Sequence, residues 1–445
     1  MVKERKHEGE SIYKLGRHIS EVARACRAHA MHCVTVSRFW SLALPGLLGL
    51  AACGRLLDFS EVTGGSADAG ATADAAADTG TGGDSSANCS GGQTDCGGQC
   101  VDLATDKNHC GACNTDCGGG ECTASKCQPF GLSKIECHSV ATDDTGSFVY
   151  VTRYREPGSS DGGVYKIDLK TGEATGMALG YAGAAWLVVA GNAVFWTTEL
   201  IGSSDRPQAV WRLDLSSSGA TPTQLYPNSG DTTLRRPFGL SVDGNFVYFA
   251  DKNGAIGRAP LGGGGSELLY TSLPGTPLNL DVLDPWIYYT ELNTAPNTGA
   301  VRRVPLVPAT PPDPPEDVLP GLEGAWGVIA RDLPLPDGGT RATVFASIAG
   351  GAVIAAANAT GGFFTTTVSN QTGGAAPAGA DITLVGDQLY WATRYGIGGS
   401  IQTYQLEAIG NATEFASSKE PIGIASVGDF LYWCSLKDGL TRARL

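Results

Sequence analysis

From Phe130 to the C-terminus, apolar and polar residues alternate with a period of two in short runs, punctuated by Gly, Pro, Asp and Asn. A period of two sends successive side chains to opposite faces, so these runs predict half-buried β-strands joined by tight turns. The pattern is clearest in PFGLSVDGNFVYFADKNGAIGRAPL, beginning at Pro237: a Pro-led apolar strand, a D-G-N turn, an aromatic strand, and a third strand carrying Arg. The aromatic strand recurs as Val149-Tyr150, Val194-Phe195-Trp196, Val247-Tyr248-Phe249, Ile287-Tyr288-Tyr289, Val344-Phe345, Leu389-Tyr390-Trp391 and Leu431-Tyr432-Trp433, with second members 45, 53, 40, 57, 45 and 42 residues apart.

A repeat of 40 to 57 residues holding three or four strands is the signature of propeller blades. We therefore expect an all-β fold, a seven-bladed β-propeller over residues 126–445. Six blades is the alternative, because the unit at Val344-Phe345 is the weakest copy. The last unit stops about one strand short, whereas Lys126 to Leu132 is a strand-like segment standing before the first unit. Pairing the two would close the ring and leave no open edge. In repeat register, Cys137 opens the first strand of unit one and Cys434 closes the second strand of unit seven, so a disulfide between them is expected to lock the ring. Phe195-Trp196-Thr197, Tyr248-Phe249-Ala250-Asp251, Tyr288-Tyr289-Thr290 and Tyr390-Trp391-Ala392-Thr393 resemble the YWTD-type propeller repeat, a family commonly six-bladed.

Ahead of the repeats, eight of the chain's 13 cysteines fall within 39 residues: Cys89, Cys96, Cys100, Cys110, Cys113, Cys117, Cys122 and Cys127. Val101 and Leu103 are the only large aliphatic side chains there, so no apolar core can hold the segment and covalent staples must. Disulfides are expected over a zinc site, which Cys110-x-x-Cys113 and His109 would otherwise suit. Their connectivity stays open, since eight cysteines allow about 105 pairings. The string CGGQCVDLATDKNHCGACNTDCGGGECTASKC resembles the stigma-specific cysteine-rich module family. It departs at Asn114, where that family usually has Gly.

Further upstream, Met31, Arg38, an apolar run from Phe39 to Leu50 and then Leu50-Ala51-Ala52-Cys53 have the three-part form of an export signal. The last four residues resemble the lipobox of bacterial lipoproteins, which implies lipidation of Cys53 and loss of residues 1–52, an upstream extension plus signal peptide. Residues 53–88, rich in Gly, Ala, Ser, Thr and Asp, are too poor in apolar side chains to fold and read as a tether with a reach of roughly 30 to 35 Å.

Charge narrows the partners. The whole chain carries -14, and beyond residue 52 it holds 23 basic against 41 acidic residues. With no Lys/Arg cluster outside the leader, nucleic acid is excluded as an expected partner. Only His109 and His138 remain after the signal, leaving almost no material for Ser-His-Asp or Cys-His catalysis. We expect no cofactor, no metal site and no catalytic residues. Acid pairs such as Asp143-Asp144 read as turn-formers.

Propellers bind at the mouth of the central channel, where first strands begin. There the repeat register aligns His138, Ala185, Phe238, Leu278, Trp326, Ala380 and Ile422, followed by Ser139, Trp186, Asn279 and Asp381, with Asp281 two beyond Asn279. Of these, His138, Trp186, Phe238, Asn279, Asp281, Trp326 and Asp381 are the candidate ligand-binding residues. The expected function is a monomeric, lipid-anchored recognition scaffold of the cell envelope, at the outer membrane or cell surface (alternatively secreted). Its partner would be an extracellular ligand such as a glycan or protein, with membrane contact through the lipid alone. The alternatives are a lyase or lactonase-type propeller enzyme acting through Asp281, Asp381 and His138, and a purely structural envelope component.

Overall fold

The computed structural model describes residues 89–445 except 144, 156–157, 200–207, 218, 232, 234, 293–297, 323, 336–337, 349–352, 360–361, 370–380, 396–397 and 407–411. The expected lipidation site at Cys53 and the tether lie outside the described residues, as does Ala380.

Among the described residues, seven four-stranded antiparallel sheets follow one another, one for each repeat unit. Six are continuous in sequence and span Ser139–Leu179, Ala184–Tyr226, Pro237–Tyr270, Thr276–Leu322, Val328–Ser369 and Ile382–Ser417. The seventh takes three strands from Pro421–Arg444 and its fourth from Phe130–Ser133, near the other end of the described chain. That strand pairs through Ser133 with Leu440, Gly131 with Thr441 and Phe130 with Arg442, covering the edge that the C-terminal strand would otherwise expose. We call the sheets blades one to seven. The first strand of each packs on the first strand of the next, and that of blade seven packs on that of blade one, so the ring is closed.

The aromatic pairs explain why the sheets stack face to face. Adjacent strand residues point to opposite faces, so Tyr248 enters the junction between blades three and four while Phe249 enters the one between two and three. Phe195 and Trp196 divide in the same way between the two junctions flanking blade two. Each of the seven junctions carries its own buried cluster. The unit at Val344-Phe345, thin in sequence, sends Val344 to one junction and Phe345 to the other like the rest.

The cysteine-rich segment is held by four disulfides, Cys89–Cys100, Cys96–Cys113, Cys110–Cys122 and Cys117–Cys127. Cys110 and Cys113, the zinc-spaced pair, belong to different bridges, and Nδ1 of His109 accepts the Asn114 amide at 3.0 Å. Asn114 has a φ of 63°, the left-handed region that Gly enters freely and Asn tolerates. The residue that departs from the family pattern is thus one its backbone permits.

This segment is not tethered loosely. Arg442, on the third strand of blade seven, donates from Nε to the Gly118 carbonyl at 2.7 Å and from Nη1 to the Leu169 carbonyl of blade one at 2.7 Å. Its guanidinium lies over the rings of Phe130 and Phe430, and Arg444 donates to the Asp116 carbonyl at 2.8 Å. One arginine therefore links the disulfide module, the closing strand and the first blade.

Candidate functional site

The first strands are irregular where they begin. In blades two, three, four and seven the pairing with the second strand skips between Ala184 and Leu187, Pro237 and Leu240, Pro277 and Leu280, and Pro421 and Ile424. Such bulges leave residues out of the ladder and re-aim their side chains. The skipped residues are Ala185-Trp186, Phe238-Gly239, Leu278-Asn279 and Ile422-Gly423, which include most of the expected rim. The ring is tight here: a Cβ on Gly423 would lie 2.7 Å from the Ser139 Cα and 2.8 Å from the His138 carbonyl oxygen.

A bulge frees backbone groups that must be satisfied, and one repeat position does this. Thr152, Thr197 and Thr290 occupy equivalent places on the second strands. Their hydroxyls accept the amides of Ser139, Trp186 and Asn279 in their own blades, at 3.1, 3.3 and 3.0 Å. Each also donates to the next blade: Thr152 to the Ala185 carbonyl, Thr197 to that of Phe238 at 2.9 Å, and Thr290 to that of Trp326 at 2.9 Å. Cys434 holds this position in blade seven, where the disulfide to Cys137 makes the connection to blade one.

At the mouth the aromatic candidates come together. The His138 ring is T-shaped to Trp186 at 5.6 Å and stacked on Tyr154 at 5.7 Å; Trp186 meets Phe238 at 5.5 Å, and Phe238 meets Trp326 at 6.0 Å. Ala185, Leu278 and Leu292 complete the cluster. Burial pushes the His138 imidazole down to about 4, with Glu199 and a hydrogen bond to the Ala185 backbone opposing and Arg394 and Lys252 reinforcing the shift, so the ring is neutral at physiological pH. Among the described residues, its Nδ1 and the Nε1 of Trp186 are buried without hydrogen-bond partners.

The polar candidates face sideways instead. Asn279 Nδ2 donates to the Trp326 carbonyl at 3.0 Å. Asp281 accepts from the Ser241 hydroxyl at 3.1 Å, the Ala330 amide at 2.9 Å and Arg331 at 2.7 Å, thereby joining three consecutive blades. Asp381 accepts the Ile382 amide at 3.0 Å and the Ile424 amide of the next blade at 3.4 Å. Burial, with a smaller contribution from the Asp281 charge, raises the Asp381 carboxyl to about 7 against the pull of those two amides. These three side chains act chiefly as cross-blade ties.

One ring of site residues went unread in the sequence. Two positions beyond the Thr/Cys place on the second strands stand, among the described residues, Tyr154, Glu199, Lys252, Leu292, Arg394 and Leu436. Lys252 Nζ pairs with Glu199 at 2.9 Å and lies 3.6 Å from the centre of the Phe238 ring; burial lowers its pKa. Arg394 pairs with Glu420 at 3.3 Å. The repeat register was the signal that would have found this ring, but its residue types share no chemistry.

Comparison with known proteins supports the two parts separately. Residues 67–131 match the stigma-specific STIG1-like protein family, and the described part of that stretch is a cysteine-rich module with four disulfides. No curated protein matches the chain. Among solved structures, it is similar to virginiamycin B lyase from Staphylococcus aureus, with 17% identity and a TM-score of 0.51, over 72% of this chain and 98% of that one. At that identity the likeness speaks for the fold alone. BamB from Moraxella catarrhalis is more distant, with 15% identity and a TM-score of 0.38 over 75% of this chain and 90% of that one.

Proposed function

We propose that the chain is an exported recognition scaffold, anchored through Cys53 and binding an extracellular ligand at the aromatic mouth of its propeller without transforming it. The observation that carries this reading is the cluster of His138, Trp186, Phe238 and Trp326, gathered from four blades with two nitrogens unsatisfied among the described residues. Buried polar atoms without partners are uncommon, and at a propeller mouth they are candidates for completion by a ligand. Five disulfides fit an oxidising compartment outside the cytosol. The Leu50-Ala51-Ala52-Cys53 motif supplies the anchor.

Virginiamycin B lyase shares the fold, but here the acids proposed for channel chemistry, Asp281 and Asp381, are committed to ties between blades. That favours binding over catalysis. Glycan and peptide arrays probed with the purified protein test the reading: array signals should be lost on Phe238→Ala, and their survival in that variant would remove the mouth as the site. Intact-mass spectrometry of the envelope fraction tests the anchor, with a lipidated chain beginning at Cys53 expected and peptides from residues 1–30 counting against it.

A further inference from the structure

We propose that the Cys96–Cys113 bridge is a site of thiol–disulfide exchange, open to attack by an external dithiol, with His109 supplying a proton to the departing sulfur. The inference is independent of what the mouth of the propeller binds.

The two sulfurs and one ring nitrogen of His109 lie within 4.8 Å of one another, and none of the three residues is buried. Access governs how fast a thiolate attacks a disulfide. Cys110, Cys117, Cys122, Cys137 and Cys434 are all buried, so three of the other four bridges contain at least one shielded cysteine. The fourth, Cys89–Cys100, also reaches solvent, but neither of its cysteines belongs to the cluster with His109. Because Nδ1 of His109 accepts the Asn114 amide, the neutral ring carries its proton on Nε2 and is a donor there. A protonated imidazole stabilises a neighbouring thiolate, and a stabilised thiolate is the better leaving group.

In the exchange, a reagent thiolate attacks one sulfur of the bridge: a new S–S bond forms, the Cys96–Cys113 bond breaks, and the electron pair leaves on the second sulfur, which takes a proton from His109. The reagent's other thiol gives its proton back to the imidazole and displaces the mixed disulfide. The dithiol ends as its own disulfide, and the bridge has gained two electrons and two protons to become two thiols. The pairing shows what this opens. Cys89–Cys100 closes within the N-terminal half of the module, and Cys110–Cys122 and Cys117–Cys127 close within the C-terminal half, so Cys96–Cys113 alone crosses between them. The C-terminal half is the one that Arg442 and Arg444 hold through Gly118 and Asp116. Exchange therefore frees the hairpin of Thr94–Asp95 and Cys100–Val101, next in the chain to residues 53–88, while the half docked on blade seven keeps both of its bridges.

The test treats the purified native protein with dithiothreitol between pH 5 and 8, traps free thiols with N-ethylmaleimide and locates them by peptide mass spectrometry. Cys96 and Cys113 are expected to be labelled about tenfold faster than the other disulfide cysteines. Divided by the reagent's thiolate fraction, their rate should fall as pH rises through the interval in which an imidazole titrates. In His109→Gln, with circular dichroism to show that it is folded, the same quantity should be lower at pH 5 and flat. Cys96→Ser/Cys113→Ser should speed amide exchange over residues 94–101 and leave residues 116–120 as protected as in the parent. Earlier labelling of any other bridge, or labelling of all eight module cysteines together, overturns the site. A sloping profile that survives in folded His109→Gln overturns the role of the histidine; if that variant does not fold, a flat profile in the parent does so.

Discussion

Cys434 is bonded to Cys137 at the repeat position where Thr152, Thr197 and Thr290 send a hydroxyl to the next blade. The bridge and the hydroxyls do the same job, tying the end of one second strand to the start of the neighbouring first strand. The difference is that the closing junction joins residues 297 apart in sequence, so its tie restricts nearly the whole propeller.

In the chain-entropy model a loop of that length restricts the unfolded state by roughly 5 kcal/mol, an upper figure. The double variant Cys137→Ala/Cys434→Ala should therefore melt well below the parent. Cys137→Ala/Cys434→Thr should recover about 1 kcal/mol of the loss, because the new hydroxyl stands where Cys434 Sγ lies 3.4 Å from the Ser139 carbonyl of blade one. Calorimetric melting of the three proteins decides this, and equal melting of the two double variants would remove the equivalence.

Arg442 should be the residue whose loss frees the cysteine-rich module. Arg442→Ala removes charge-assisted bonds to Gly118 and Leu169 and the cover over Phe130 and Phe430, a cost of about 2 to 3 kcal/mol. Gly118→Ala attacks the same contact from the other side: its φ is +62° and its Cβ would come within 2.5 Å of the Phe430 ring. Both variants should speed amide exchange over residues 116–120 and leave exchange in blades three to five unchanged. Protection of the module equal to the parent's in both would show that the docking contributes nothing.

Truncation separates the module from the closing strand. Starting the chain at Lys126 keeps Phe130–Ser133, whereas starting at Val140 leaves the strand Gly439–Arg444 as an open edge and also removes Cys137. The shorter protein should melt lower and aggregate, since an unpaired edge recruits other strands. To isolate the edge from the disulfide, the comparison is repeated on Cys434→Ala; coincident melting there would mean the fourth strand is dispensable.

Much of this was legible because a propeller writes its period into the chain. The aromatic pairs gave the repeat units, the three-strand final unit called for a strand from elsewhere, and counting cysteines left Cys137 and Cys434 to each other. The module's pairing was not legible, since a segment without a core has no apolar pattern that ranks one connectivity above another. Aligning Asn279, Asp281 and Asp381 with the rim was sound in register but misleading in direction. The inner strands run so close that these short polar side chains find backbone partners on the neighbouring blade before they find the channel. Tyr154, Glu199, Lys252 and Arg394 escaped because their position is shared and their chemistry is not.

The last prediction concerns pH, where His138 and Asp381 pull in opposite directions. His138 falls from 6.5 in the unfolded chain to about 4 when folded, so its contribution is present above 6.5 and is lost as pH drops from there through 4. Asp381 rises from 3.8 to about 7; the fold favours its protonated form, so its contribution is present at low pH and is lost as pH climbs from 3.8 through 7. Each shift corresponds to a few kcal/mol, and over the shared window from about 4 to 6.5 the two nearly cancel. His138→Phe should unmask Asp381, giving a protein that loses stability as pH rises from 4.5 to 6.5. Asp381→Asn should unmask His138 and gain stability over the same interval. The readout is the slope of urea-unfolding free energy against pH, which is insensitive to any constant offset from lost packing or from the tie to Ile424. Parallel slopes in the two variants would mean that these groups do not titrate as their surroundings in the channel require.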